Sequence, residues 1–397
     1  MTAPDSAHLA TWLIAALAVS GVIVRPWRIP ESVWVVIAAS ALVIFGLLPW
    51  HDALFAVGKG IDVYLFLTGM MLLSELARRE GLFDFLAAHA VHLSRGSAPR
   101  LFLLAYAIGT IVTVFMSNDA TAVVLTPAVY AAAKQANAKP LPYLFVCAFI
   151  ANAASFVLPI SNPANLVIFG THMPPLLQWL AQFAFPSILA VATTFAMHRY
   201  LQRDALAEAI DADIRIPVLS RAGATTGYGI AGVAIALLIA SFRGMPLGFP
   251  TLAVTTLVAA IVLIGKREMP WVLLKGVSWG VLILVAGLFV LVQGLEYTGV
   301  VHSLTTLLRA AADKSLTGTT WGTGIGIAVM CNLINNLPMG LIAGSTVNAT
   351  QVDTLIQSAI TIGVDLGPNL SVTGSLATIP SCILKSFGAS PKPTIRA

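Results

Sequence analysis

Two polar interruptions of apolar sequence recur at a fixed spacing. Ser117-Asn118-Asp119 breaks one hydrophobic stretch, and Asn335-Asn336-Leu337-Pro338 breaks another 218 residues later. Ser161-Asn162-Pro163-Ala164-Asn165 and the run holding Asn369, Ser371 and Thr373 break two more. Amides and hydroxyls both donate and accept hydrogen bonds. The set Ser117, Asn118, Thr121, Ser161, Asn162, Asn165, Asn335, Asn336, Asn369, Ser371 and Thr373 therefore suits a small neutral hydroxylated solute, or a cation held by carbonyls. Half-helix N-termini at such breaks add partial positive charge. The alternative is that these amides only cap helices and satisfy broken backbone.

Asp119 brings a titratable group to the first break. A lone ionisable side chain inside a membrane costs several kcal/mol unless it is paired, hydrated or protonated. Asp119 is therefore the proton-coupling candidate, with helix capping as the competing role. Its mate at the 218 offset is Leu337, so the second break supplies no second carboxylate. Glu75, aligned with Gln293, is the second proton candidate. Asp62, Glu296 and Asp365 read as charges at span ends.

The elements that must position these groups are hydrophobic. The chain is 58% hydrophobic and 10% charged, against about 25% charged in soluble domains. Its apolar stretches run about 17–25 residues, the length of a bilayer crossing. The fold class is an all-α polytopic membrane protein. The net charge of +5 comes from basic residues scattered between spans, which excludes a nucleic-acid patch. Spans are predicted at 8–24, 31–50, 61–78, 174–198, 225–241, 248–265 and 279–297. Split segments cover 101–133, 142–171, 318–346 and 351–379. Amphipathic segments at 82–93 and 300–312 read as interfacial helices.

The offset of 218 also pairs Gly58 with Gly276, Gly69 with Gly287 and Gly81 with Gly299. It implies a duplication: a first repeat over 1–198 with an extra span at 8–24, a linker over 199–222, and a second repeat over 223–379. A polar basic tail follows at 380–397. Each arm of 101–133 is too short to cross a bilayer comfortably, and basic residues flank both ends. It reads as a re-entrant hairpin, with 318–346 as its counterpart, while 142–171 and 351–379 read as broken helices. With the linker in the cytoplasm, 18 of the 22 Lys and Arg residues lie inside. The positive-inside rule therefore favours that orientation. One hairpin then enters from each side, as an inverted-topology repeat requires.

Met116 to Pro127 (MSNDATAVVLTP) strongly resembles the ArsB-type arsenite efflux permeases of the ion transporter superfamily. So do Ile160–Asn165 (ISNPAN), Asn335–Gly340 (NNLPMG) and Leu366–Thr378 (LGPNLSVTGSLAT). The resemblance spans roughly residues 8–379. It implies export of arsenite and antimonite across the inner membrane of a bacterium in exchange for protons, with an optional cytoplasmic ArsA-type ATPase partner. A sodium/proton antiporter or carboxylate transporter of the same superfamily is the alternative. After Thr378 the chain departs from the family, where a further apolar span is expected.

An enzyme reading has little to stand on. The sequence carries no P-loop, HExxH or G-x-S-x-G, and Cys147, Cys331 and Cys382 match no metal or disulfide spacing. No cofactor is expected. Arsenic has affinity for thiols, but the three cysteines are scattered and a tight thiolate site would hinder release, so an oxygen-lined site is expected. Replacing all three cysteines with Ser or Ala is thus expected to leave arsenite export largely intact. Arsenite uptake by everted vesicles, normalised to the protein level, checks this.

Overall fold

The computed structural model describes residues 6–170, 173–350 and 352–371. Thr373, Cys382, the tail 380–397 and the end of the last split segment lie outside the described residues. Helices form throughout, and among the described residues no strand occurs. The first half holds α1 (Ser6–Val24), α2 (Glu31–Ile44), α3 (Trp50–Lys59), α4 (Ile61–Arg79), α5 (Leu82–Ser94), α6 (Ala98–Met116), α7 (Thr126–Gln135), α8 (Leu141–Ala153), α9 (Pro163–Phe169) and α10 (Leu176–Leu201). The second half holds α11 (Arg221–Phe242), α12 (Gly248–Lys266), α13 (Trp271–Leu274), α14 (Gly280–Tyr297), α15 (Val300–Lys314), α16 (Leu316–Ile334), α17 (Asn336–Thr350) and α18 (Thr354–Leu366).

Six of these helices are long and apolar enough to cross a membrane, and α3 with α4, bent by 49° at Gly60, adds a seventh. Large apolar side chains such as Leu17, Phe185, Ile188 and Ile264 face outward. That pattern is intelligible against lipid and costly against water. The chain is a multi-pass membrane protein.

The halves are interlaced. Helix α4 packs along α12, and α2 packs along α14. At the start of α12 the Asp62 carboxylate accepts from the Gly248 and Leu247 amides at 2.8 and 3.3 Å. At the other end Arg79 pairs with Glu268 (2.9 Å), and Lys266 with Glu80 (2.9 Å). So α4 and α12 run parallel. Half-buried Glu268, in the turn after α12, is held below the usual carboxylate range by hydrogen bonds from Lys266 and Arg79. Asp62 is thus the cap of a helix in the other half rather than a solvated span end.

Positions separated by 218 residues take matching conformations. Gly81 and Gly299 have φ of +71° and +77° and open α5 and α15. The paired helices α4 and α14 run antiparallel. Lys59, before α4, donates to Gln293 near the end of α14 (2.8 Å), while Gly276, before α14, packs on Glu75 near the end of α4. Gly69 and Gly287 do the same job in each half. A Cβ on Gly69 would sit 2.8 Å from Thr251 Cγ2, and one on Gly287 2.5 Å from Val35 Cγ1. Both let a helix of the opposite half approach to backbone distance.

Several boundaries differ from those expected. The second span stops at Ile44, and the chain turns through Gly46 into the short α3, which a run of Trp, His and Asp concealed. Helix α5 keeps Asp84, His92 and Leu93 exposed on one face. It buries Phe83, Ala87 and Val91 against α6 and α7, whereas α15 keeps most of its length exposed. The linker is shorter than 199–222, because α10 runs to Leu201 and Ser220 caps α11 through the Gly223 amide (2.9 Å). It is strapped to the turns between α5–α6 and α7–α8. Ile210 N donates to Gly96 O (3.1 Å), Asp211 N donates to Ala136 O (2.8 Å), and Lys139 pairs with Glu208.

Overpacking a tight helix contact costs roughly 1–3 kcal/mol. Gly69→Leu and Gly287→Leu are each expected to lower the thermal unfolding midpoint in detergent. Gly232→Ala, with nothing within 4 Å of the added carbon, should hold or raise it. Fluorescence-monitored melting of the three variants tests the contrast.

Candidate functional site

The two broken hairpins end in the same backbone device. Helix α6 terminates at Ser117 (φ 115°, ψ 161°) and α16 at Asn335 (φ 72°, ψ 154°). Non-glycine residues at such angles are strained by about 1–3 kcal/mol each. In return the chain reverses without a loop, and a new helix starts at the next residue. An asparagine oxygen then accepts an orphaned amide at each restart: Asn118 Oδ1 from Asp119 N (2.9 Å), Asn335 Oδ1 from Leu337 N (3.3 Å). At the third break Asn162 Oδ1 accepts from Ala164 N at the head of α9 (3.0 Å). After Asp119 the chain runs as a π-helix over Ala120–Leu125 before α7. The Thr126 hydroxyl donates to the Thr121 carbonyl there (2.9 Å), which also accepts the Thr126 amide across the wider turn.

These restarts converge on one cavity of about 500 Å³. Ser117, Asn118, Asp119, Asn162, Asn335, Asn336 and Glu75 all line it. The rest of the wall is mostly apolar, from Leu67, Met70, Met71, Val281, Leu284 and Leu288 of α4 and α14. Three helix N-termini face the space, each offering amide hydrogens and partial positive charge. Because their oxygens serve as caps, Asn118 and Asn335 present their NH2 groups. Among the described residues neither NH2 has a protein acceptor, and the Asp119 carboxylate has no hydrogen-bond or ion-pair partner.

Other residues expected in the site stand behind the wall and brace the breaks. Thr121 Oγ1 shares a 2.8 Å hydrogen bond with Thr113 Oγ1 of α6. Ser161 Oγ accepts from Leu158 N and donates to Val114 O, at 3.2 and 3.1 Å. Asn165 Nδ2 donates to Ser155 O (3.0 Å). Asn369 donates to Phe149 O (3.0 Å) and accepts from Asn152 Nδ2 (2.9 Å), joining the broken helices of the two halves. Ser371 Oγ donates to Asn332 Oδ1 (2.7 Å).

Two groups escaped the sequence reading. Arg25, just after α1, pairs with Glu31 at the head of α2, and Arg78 near the end of α4 grips both oxygens of Glu75 at 2.7 Å. All four lie at helix ends on one side of the bundle and line the cavity there. In the sequence Arg25 and Arg78 are two of the many basic residues between spans and bear only on topology. Asn332 and Asn152 were also missed, being single amides inside apolar helices. Asp365 had been placed at a span end. It is instead completely buried, because α18 ends inside the protein at the Gly367–Leu370 turn, where Gly367 seats against Ala328.

The comparisons with known proteins fit this architecture. A model of the CitMHS citrate transporters matches residues 13–363. The chain belongs to the citrate transporter family. Among its relatives, an arsenical pump membrane protein of Yersinia enterocolitica is 28% identical over 322 residues, covering 78% of this chain and 75% of its own length. One from Escherichia coli K12 is 28% identical over 327 residues, with the same coverage. An uncharacterized transporter of Mycobacterium tuberculosis is 22% identical over 386 residues, 90% of this chain and 86% of its own. As a member of a transporter family this protein is a carrier, not an enzyme, and the four interrupted segments all begin inside the matched range.

The strained reversals make a sharp local test. Ser117→Gly removes the Cβ clash at positive φ and should hold or raise the unfolding midpoint, while Ser117→Val should lower it by about 2 kcal/mol or more. Chemical denaturation of both variants in detergent decides.

Proposed function

We propose that this protein exports arsenite, and its analogue antimonite, from the cytoplasm in exchange for protons. The observation that carries the reading is the pairing of unpartnered amide donors with one unpartnered carboxylate in a single cavity. Arsenous acid is a small neutral trihydroxide near neutral pH. Its oxygens accept from Asn118, Asn335 and Asn336, and one of its hydroxyls donates to Asp119. A protonated Asp119 has lost its charge and turned one acceptor oxygen into a donor, so it holds that hydroxyl more weakly. Solute and proton therefore compete for one carboxylate, which is the condition for exchange. The arsenical pump names of two relatives support the same substrate class.

A citrate or other carboxylate substrate fits the wall less well. Lining cations among the described residues are Arg25 and Arg78, and each is already paired with a carboxylate. Asp119 would repel a carboxylate between the hairpin ends. The remaining polar residues of the set, Thr121, Ser161, Asn165, Asn369 and Ser371, act by holding the breaks open; Thr373 joins them by sequence. Glu75 with Arg78 serves as a charged latch at the cavity mouth and as the secondary proton candidate.

The topology follows the same logic. An inverted repeat, with 1–198 and 223–379 as its halves, accounts for the antiparallel run of α4 and α14. A cytoplasmic linker puts Arg25, Arg78, Arg95 and Lys139 on one side, so the cavity mouth at Arg25 and Arg78 faces inward, toward bacterial cytoplasm. That is the loading state of an exporter. An ArsA-type ATPase would dock on the same face.

Asp119→Asn keeps a hydrogen-bonding group of the same size but cannot exchange a proton. It should insert normally and lose pH-gradient-driven arsenite accumulation in everted vesicles by at least tenfold. Accumulation that stays at wild-type rate, collapses with a sodium ionophore or is competed by citrate would replace this reading with one of the alternatives.

A further inference from the structure

Behind the cavity wall lies a second carboxyl whose bonding is incomplete. Asp365 on α18 is fully buried. Its Oδ1 accepts from Asn162 Nδ2 at 2.6 Å. Its Oδ2 is buried with no partner, and so is Oδ1 of Asn165. The Asn165 carboxamide adjoins the Asp365 carboxyl, and its own NH2 is committed to Ser155 O (3.0 Å). Two acceptors without a donor thus belong to adjoining side chains in the interior. A buried unsatisfied acceptor costs about 1–3 kcal/mol, so such a pair calls for something between them.

We propose that Asp365 is a proton-binding site of the carrier, its proton held on Oδ2 and donated to Asn165 Oδ1. One proton satisfies both orphan acceptors and cancels the buried charge. A hard cation would want six or more oxygen ligands, and the unpartnered oxygens here are two. The step is simple: the carboxylate takes a proton from water to become a carboxylic acid, and returns it on release. Elements packed around Asp365 bring apolar side chains and one titratable neighbour, the Cys331 thiol of α16; α9 brings only Asn162 and Asn165, and α10 brings Trp179 and Phe183 to the adjoining cluster.

The location gives the proton work to do. Asn162 and Asn165 flank the break of the first half, and Asp365 precedes the break of the second. Asn162 also lines the solute cavity and caps α9. Loading or unloading Asp365 therefore changes the pull on Asn162, a residue of the cavity wall, and on the joint between the halves. This coupling role rests on the exchange reading above, whereas the proton site itself does not.

Infrared difference spectroscopy of the purified full-length protein, recorded between mildly acidic and alkaline pH without any substrate, reads the site directly. A buried carboxylic-acid band that titrates, persists in Asp119→Asn and is lost in Asp365→Asn is expected. Should Asp365→Asn prove unstable, Asn165→Ala serves: it removes the acceptor, so the band should keep its intensity but move to higher frequency. A band that survives Asp365→Asn, stays put in Asn165→Ala, or responds to added sodium instead of pH would overturn the proposal. Loss of arsenite transport with the band intact would count against the exported substrate, not against the proton site.

Discussion

Everything in this fold turns on how a helix can stop in the interior of a membrane protein. Hydrocarbon offers backbone amides and carbonyls nothing to bond with. A helix that ends there exposes several orphaned groups unless the protein supplies partners. Here asparagine oxygens take amides at three restarts, and threonine and serine hydroxyls take carbonyls beside them. Once the oxygens are used in this way, the NH2 ends of Asn118 and Asn335 are left to face the cavity. The donors offered to a solute are thus a by-product of capping, so structural and functional roles are two ends of the same carboxamides.

The breaks converge because the frame is crossed. Helix α2 of one half lies on α14 of the other, and α4 lies on α12. Gly69 and Gly287 set how closely these pairs approach. The face shared by α4 and α14 then becomes the apolar side of the cavity, with the hairpin ends opposite. Charges are kept to the rims, as ion pairs among Arg79, Lys266, Glu80 and Glu268 at one end of the frame and as Lys59 with Gln293 at the other.

Much of this was legible in the sequence because its signals are periodic or repeated. Helix lengths followed from apolar run lengths, the breaks from clustered Asn, Ser and Pro, and the matched conformations of Ser117 with Asn335 from a constant offset. What stayed hidden depended on long-range packing. Whether an amide faces a cavity or braces a turn behind it is set by the other half of the chain, so Asn162 and Asn165, three residues apart, could not be told apart. Nor could burial of Asp365 be read, since a carboxylate near the end of an apolar run looks the same whether the run ends in water or in protein. Helix α3 is hidden in the sequence because ten residues that open with Trp, His and Asp resemble a loop.

The crossed frame also bears on how the protein is made. Asp62 finds its amide partner on Gly248, 186 residues downstream. At a synthesis rate of about 5–20 residues per second, α4 would wait roughly ten to forty seconds in the membrane before α12 arrives. Through that interval its face around Gly69 and the Asp62 carboxylate have no native cover. Nascent chains are then exposed to wrong partners or to quality control, and biogenesis would depend on a chaperoning surface in the insertion machinery that shelters an unpaired half until its counterpart is threaded.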